Sequence, residues 1–398
     1  MKIARLPNGI TLVLAPSRGD SLTLLASVHV GSADDGEQYG ISHFLEHMLF
    51  EGTKKRTAEE ISNTIERLGG YCNAATDSER TFYYIKILKR HFRAAADILS
   101  DIICHPSFLP KMIEKERKIV LSEIDMVNDE PRHYQWILFQ KHLFTSAMRH
   151  PTYGTKEAVS RITQADLSGH HRRHYAGSNL VLVLAGDVPG ALPYLAKAFS
   201  SLPQGAAHHS SVVERPNALQ RIVEMKPSLS QSYLVLGYKT PARDSPDIPC
   251  LDIIHAVLGR GQSGRLFSEI RGKRGLGYDV AVHHEPGIAQ GIFAVNVGMA
   301  QKDIPQVISL ITKEFSRLQR LSLSDLRDAQ TYIEGNFLLE HEDTQKQAVF
   351  LSLLCHSGAL ADAEGYLSRI KRANLQEVRD AAKRHLTPNY TLAIMQQK

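Results

Sequence analysis

Gly40-Ile41-Ser42-His43-Phe44-Leu45-Glu46-His47-Met48-Leu49-Phe50-Glu51-Gly52-Thr53 is the stretch on which the reading of this chain turns. Its apolar residues recur at three- and four-residue intervals, which predicts a helix over 40–50. On such a helix His43, Glu46 and His47 stand at i, i+3 and i+4 and share one face. Phe44, Leu45, Met48, Leu49 and Phe50 surround them, so the helix is expected to be buried, where two unpartnered imidazoles and a carboxylate would be costly. A metal ion relieves that cost. Zinc accepts imidazole nitrogen and carboxylate oxygen, and a catalytic site uses three protein ligands and keeps a fourth position open. A further carboxylate must therefore come from elsewhere in the chain.

Outward from this helix, the segments 10–15 and 22–30 are rich in β-formers and flank a Ser17-Arg18-Gly19-Asp20 turn, which predicts an antiparallel pair. A second helix is expected over 58–68, opened by Thr57 with Glu60 three residues on, a capping box, and stopped by Gly69-Gly70. Short strands are expected at 71–75 and 81–88. A long helical region follows from His91 to about Glu130, broken at Pro106 and Pro110, and 180–185 reads as a buried strand. The segment 203–216 lacks periodicity and is the best linker. Beyond it the order partly repeats: strands near 222–224 and 232–237, a helix over 248–258, strands near 278–283 and 291–297, then helices to the end. The expected organisation is a zinc-binding domain over 1–204, a linker over 205–216 and a related domain over 217–398. Its fold class is α+β, with two related halves, each a mostly antiparallel sheet covered by helices on one face.

The length of 398 residues exceeds what one core usually fills, which agrees with two domains. A net charge of +5 without a long basic run gives no footprint for nucleic acid. Cys72, Cys104, Cys250 and Cys355 form no CxxC pair, so a reducing compartment is expected. The first residues lack an apolar signal-peptide core and no apolar run is long enough to span a bilayer, so the expectation is a cytoplasmic protein without a membrane partner.

With these features assembled, the sequence resembles the insulinase or pitrilysin family of zinc metallopeptidases, in its short two-domain form, similar to the subunits of mitochondrial processing peptidases. In that family a third ligand follows the second histidine by about 76 residues on a Glu-Arg-x-x-Val-x-x-Glu helix. Glu116-Arg117-Lys118-Ile119-Val120-Leu121-Ser122-Glu123 stands at that distance, since 123 minus 47 is 76. The resemblance implies one zinc per chain on His43, His47 and Glu123, with Glu46 as the base that activates water and Glu116 orienting a ligand histidine. It implies further that Asn73 and Ala74 lie on an edge strand to which a peptide substrate adds by main-chain hydrogen bonds. Arg271 and Tyr278, which follow Gly259-Arg260-Gly261-Gln262-Ser263-Gly264-Arg265, would contact substrate main chain and help stabilise an oxyanion. The implied activity is hydrolysis of peptides or short unfolded polypeptides inside a closed chamber. Larger members carry four such halves, so a chamber here implies a homodimer, with a heterodimer of related chains as the alternative.

Two other readings compete. Gly259, Gly261 and Gly264 fit the G-x-G-x-x-G dinucleotide fingerprint, but the preceding residues read as a helix where a strand is required. A non-catalytic subunit, serving assembly or substrate capture in a heterodimeric processing peptidase, is the second, and the complete ligand set disfavours it. His170, His171, His174, His208 and His209 are expected to be exposed histidines of a helix end and a linker, without a site of their own.

Overall fold

The computed structural model describes residues 1–208, 212–227 and 229–398. By proximity the chain forms two compact units: Met1–Met126 with His150–Ser211 and Glu340–His356, and Val127–Arg149 with Val212–Leu339 and Ser357–Lys398. The passage between units at 211–212 falls in the segment expected to be a linker. The expected division into 1–204 and 217–398 does not anticipate that each unit also takes a helix from across that segment. Residues 209–211, and with them His209, lie outside the described residues.

The first unit carries a six-stranded sheet of β1 (Lys2–Arg5), β2 (Thr11–Ala15), β3 (Ser21–Val28), β4 (Tyr71–Thr76), β5 (Thr81–Leu88) and β6 (Leu180–Ala185), in the order β1-β2-β6-β3-β5-β4. The expected pairing of β2 with β3 is not found. β6 lies between them, parallel to β2 and antiparallel to β3, and the partner of β2 on its other side is β1, antiparallel across a turn that contains Gly9 in the left-handed region. The reason lies in β6, whose six residues Leu180-Val181-Leu182-Val183-Leu184-Ala185 are all buried. A strand apolar on both faces belongs in the middle of a sheet.

Residues of β3 alternate between two layers. Leu22, Leu24, Ala26 and Val28 enter the main core, together with Phe44, Leu45 and Met48 of the helix Ile41–Met48 and apolar residues of Phe92–Cys104. Thr23 and Ser27 face the other way and meet the helix Thr344–His356, through Thr23 Oγ1 to Thr344 Oγ1 at 2.9 Å and Ser27 Oγ to His356 Nε2 at 3.0 Å. Arg80, buried at the start of β5, holds that helix by donating to Ser352 Oγ (2.8 Å) and to the Val349 carbonyl (3.3 Å), while its Nε donates to Asp77.

The second unit repeats the plan. Its strands are β7 (Gln220–Lys226), β8 (Ser232–Thr240), β9 (Gly277–Glu285), β10 (Gly291–Met299) and β11 (Thr391–Gln397), in the order β7-β11-β8-β10-β9. β7 is parallel to β11 and every other pairing is antiparallel, which is the topology of β2-β6-β3-β5-β4. The two halves are thus related in fold, each a mostly antiparallel sheet with its helices, as expected. The chain does not end in helices, however. β11 closes it, in the place that β6 holds in the first sheet, and its short run of Thr, Leu, Ala, Ile and Met carries little periodic signal. The sheet is met by the helix Pro131–Leu143, which contacts β8 and β11. Glu214, just after the undescribed residues, accepts from the backbone N–H groups of Thr145 and Ser146 and fastens that part of the chain to this unit. A helix, Ile248–Gly259, precedes Gly261, so the dinucleotide context is absent.

Replacing Arg80 by Met leaves the Ser352 hydroxyl and the Val349 carbonyl without their cationic donor. A loss of about 2 kcal/mol is expected, in line with hydrogen bonds made by charged groups. Denaturant unfolding should show it, together with faster amide exchange in Thr344–His356. An unchanged midpoint would contradict the assigned role.

Candidate metal centre

The helix Ile41–Met48 is placed before its chemistry is considered. Gly40 precedes it in the left-handed region at φ 95°, and a Cβ there would lie 2.5 Å from the Tyr153 carbonyl oxygen, so only glycine fits. Phe44, Leu45, Met48 and Leu49 are fully buried. The first turn is held by Asp35, which accepts from Gly40 N (2.7 Å), Ser42 N (3.2 Å) and Ser42 Oγ (2.6 Å). A carboxylate suits the positive end of a helix and satisfies amides that have no partner within it. Ser42 Oγ also lies 3.1 Å from His170 Nε2. The Ser42 hydroxyl has a second acceptor in the Gly31 carbonyl at 3.1 Å.

His170 and His174 thus depart from the expectation of exposed histidines: both are buried, on the helix Gln164–His174. Burial pushes His170 down to about 3, so it packs as a neutral ring. His208 instead pairs with Asp34 at 2.9 Å, which raises it.

Elsewhere on the motif helix, the expected ligands come together. His43 Nε2 lies 3.9 Å and His47 Nε2 3.5 Å from Glu123 Oε2, and the three donor atoms lie within 4.8 Å of one another. Among the described residues this is the one such group of His, Cys, Asp and Glu side chains. Ligand atoms about 2.0–2.1 Å from a tetrahedral zinc stand roughly 3.4 Å apart, so the set needs little adjustment to hold one ion. Its chemistry fits as well. Burial and the neighbouring His47 push His43 down to about 3, which keeps a lone pair on its ring.

Glu123 and Glu116 both lie on the long helix Pro110–Asp129, two turns apart, and both face His47. Glu116 is buried and its Oε2 lies 3.2 Å from His47 Nδ1, the nitrogen turned away from the other ligands. A carboxylate in that position fixes the ring and strengthens its other nitrogen as a ligand. Glu46, on the same turn as the ligands, is not part of the triad. Burial raises its carboxyl, and the Thr76 hydroxyl, which donates to its Oε2, opposes that rise.

Asn73 and Ala74 lie on β4, the outer strand of the first sheet. The Ala74 N–H donates to Asn73 Oδ1 at 2.9 Å, and in the alternation of the β4–β5 ladder it points to the open edge. Alternation turns the main chain of Cys72 and Thr76 the same way. Arg271 and Tyr278 belong to the second unit, where Arg271 Nη1 donates to the Tyr278 carbonyl at 3.0 Å and the Tyr278 ring is 73% exposed at the start of β9. The residues missed from sequence are Asp35, Ser42, His170 and Thr76. Thr76 had a signal, since Cys72, Ala74 and Thr76 share one face at period two; Asp35 and His170 had none, because their contacts are set by tertiary packing.

The sequence pattern of the insulinase family, peptidase family M16, matches residues 13–156, and that of the peptidase M16 inactive domain matches 161–331. An uncharacterized zinc protease of Mycobacterium leprae (strain TN) is 31% identical over 383 residues, 92% of this chain and 85% of that protein. The chain belongs to the insulinase family. Another relative, an uncharacterized zinc protease of Bacillus subtilis (strain 168), is 27% identical across 98% of this chain and 96% of its own length. In fold, the chain is similar to a protease from Helicobacter pylori, with a TM-score of 0.92 at 20% identity over 99% of both chains. It is also similar to a peptidase M16 inactive domain structure from Pseudomonas fluorescens, with a TM-score of 0.91 at 21% identity over 100% of this chain and 98% of that one.

Asp35 gives the motif helix a pH dependence. Burial pushes its carboxyl from 3.8 up to about 7, against the three hydrogen bonds that favour ionisation. The folded state then holds this proton more tightly than the unfolded chain. The stabilisation is complete below about pH 4 and is lost as pH rises through about 7. Unfolding free energy should therefore fall between about pH 4 and about pH 7, and Asp35→Asn should flatten the part due to this group. Equal slopes in both proteins would show that Asp35 titrates normally.

Proposed function

We propose that this protein is a zinc endopeptidase acting on peptides or short unfolded polypeptides, with His43, His47 and Glu123 holding one zinc per chain. The single observation that supports it most is the convergence of Glu123 on two imidazoles 76 and 80 residues upstream, with Glu116 behind one imidazole and Glu46 on the same helix as both. Bound zinc would polarise the scissile carbonyl and acidify a water molecule. Glu46 takes the proton of that water and returns it to the departing amine, so no covalent acyl-enzyme is needed. Its burial helps, because a carboxyl raised from its usual range is a better proton carrier near neutral pH. Glu116 keeps His47 in its ligating orientation. The open edge of β4 at Asn73 and Ala74 receives the peptide as an added strand, a grip on main chain that is largely indifferent to side chains.

The reading extends to assembly. A homodimer encloses the chamber, and Arg271 and Tyr278 of the partner subunit face the peptide and the developing oxyanion. Retention of the whole ligand set favours this over a non-catalytic subunit of a heterodimer. Four free cysteines suit a cytoplasmic setting, and among the described residues no helix is long and apolar enough to cross a membrane.

Metal analysis and peptide cleavage test the centre together. Glu46→Gln should keep about one zinc per chain and lose cleavage of a mixed peptide library, whereas Glu116→Gln should weaken zinc binding roughly 10- to 100-fold. Undiminished turnover in Glu46→Gln would remove the proposed base. Assembly has its own test, in which inactive Glu46→Gln and Arg271→Ala chains are unfolded and refolded as a mixture. If the arginine acts across a two-fold interface, about a quarter of the wild-type activity returns. No recovery, or a monomeric mass by light scattering in active protein, would exclude the dimeric arrangement.

A further inference from the structure

Glu46 is held by the edge strand. Thr76 ends β4, opposite Thr81 of β5, and its side chain lies on the face shared with Cys72 and Ala74, which pack against the main core. From there its hydroxyl donates to Glu46 Oε2, and its backbone N–H also favours the ionised carboxylate. A carboxylate only accepts, so the Thr76 proton is committed to it and the second Glu46 oxygen is left for other partners. The nearby buried hydroxyls of Tyr83 and Tyr175 are engaged with each other at 2.7 Å. Among the described residues, the side chain that hydrogen-bonds Glu46 is therefore Thr76.

We propose that Thr76 is a positioning residue for Glu46 and that, through it, occupancy of the edge strand governs the orientation of the base. The inference rests on the reading of Glu46 as the base. Its physical content lies in the two ends of Thr76. The side chain fixes one carboxylate oxygen of Glu46, while the main chain belongs to the strand whose outward groups at Cys72 and Ala74 are open to an added peptide. A peptide bonded there restricts the backbone two residues from Thr76, so the hydroxyl, and with it the carboxylate, samples fewer orientations. Because catalysis requires the base within hydrogen-bond reach of its water, a narrower distribution raises turnover rather than affinity.

The test compares Thr76→Val with Thr76→Ser. Valine keeps the branched shape and strand preference and loses the hydroxyl; serine keeps the hydroxyl and loses the branch. If Thr76 positions Glu46, Thr76→Val lowers kcat roughly 10- to 100-fold with little change in KM, and Thr76→Ser restores most of it. A packing role would reverse that order, and this outcome overturns the proposal. The loss in Thr76→Val should be greater for a peptide long enough to lie along β4 than for one that stops short of Cys72; equal losses would overturn the coupling to the strand. A readout independent of turnover is thermal unfolding of the metal-free protein. Thr76→Val should lower the midpoint in the wild-type background, and most of that fall should vanish in Glu46→Gln, whereas additive effects would overturn the link between the two side chains. Failure here is separable from failure of the functional reading: zinc-loaded wild type that cleaves no peptide defeats the latter, while Thr76→Val that matches an active wild type, with Glu46→Gln inactive, defeats this inference alone.

Discussion

The structure depends on one constraint, that a short helix must bury one side in an apolar layer and present three ionisable groups on the other. Phe44, Leu45 and Met48 meet the first requirement, each without exposed surface. Burial of such side chains contributes about 1.5–3 kcal/mol apiece, enough to hold a helix of only eight residues that would not persist alone in water. The second requirement leaves His43, Glu46 and His47 half-buried, where protein partners rather than water set their orientation.

Everything around that helix compensates for the burial of polar groups. Asp35 accepts from the Gly40 and Ser42 amides and from the Ser42 hydroxyl, which His170 approaches in turn. Glu116 occupies the back of His47, Glu123 faces both ligating nitrogens, and Thr76 holds Glu46 from the edge strand. The partners come from several parts of the first unit, the helix Pro110–Asp129 alone supplying both Glu116 and Glu123, so the site is assembled by the fold and is not a property of any one segment. This is how a buried polar cluster becomes specific: an unpartnered group costs as much as a good partner contributes, so few arrangements are tolerated.

The two units show what is kept when such a site is absent. Their sheets share a topology, with an interior strand in the same place, β6 buried throughout in one and β11 buried over its first five residues in the other, and each is covered by helices. The His-x-x-Glu-His pattern occurs only in the first. The fold is thus maintained by the layered packing of strands and helices, and the chemistry is an addition to one copy of it.

The sequence by itself determined the motif helix, the capping box at Thr57, the strand at 71–75, the repeat of element order and, through a family resemblance, the edge position of that strand and the acidic ligand 76 residues downstream. The local features were legible because they rest on periodicity or on fixed spacing within one segment, and the distant ones because the resemblance supplies them. Only the tertiary structure decided that β6 separates β2 from β3, that β11 ends the chain as a central strand, and that a helix from beyond the linker completes each unit. It also decided that Asp35, His170 and Thr76 support the site. Strand order and buried hydrogen bonds join residues far apart in the chain, and their energies depend on which surfaces meet, a quantity that no run of neighbouring letters contains.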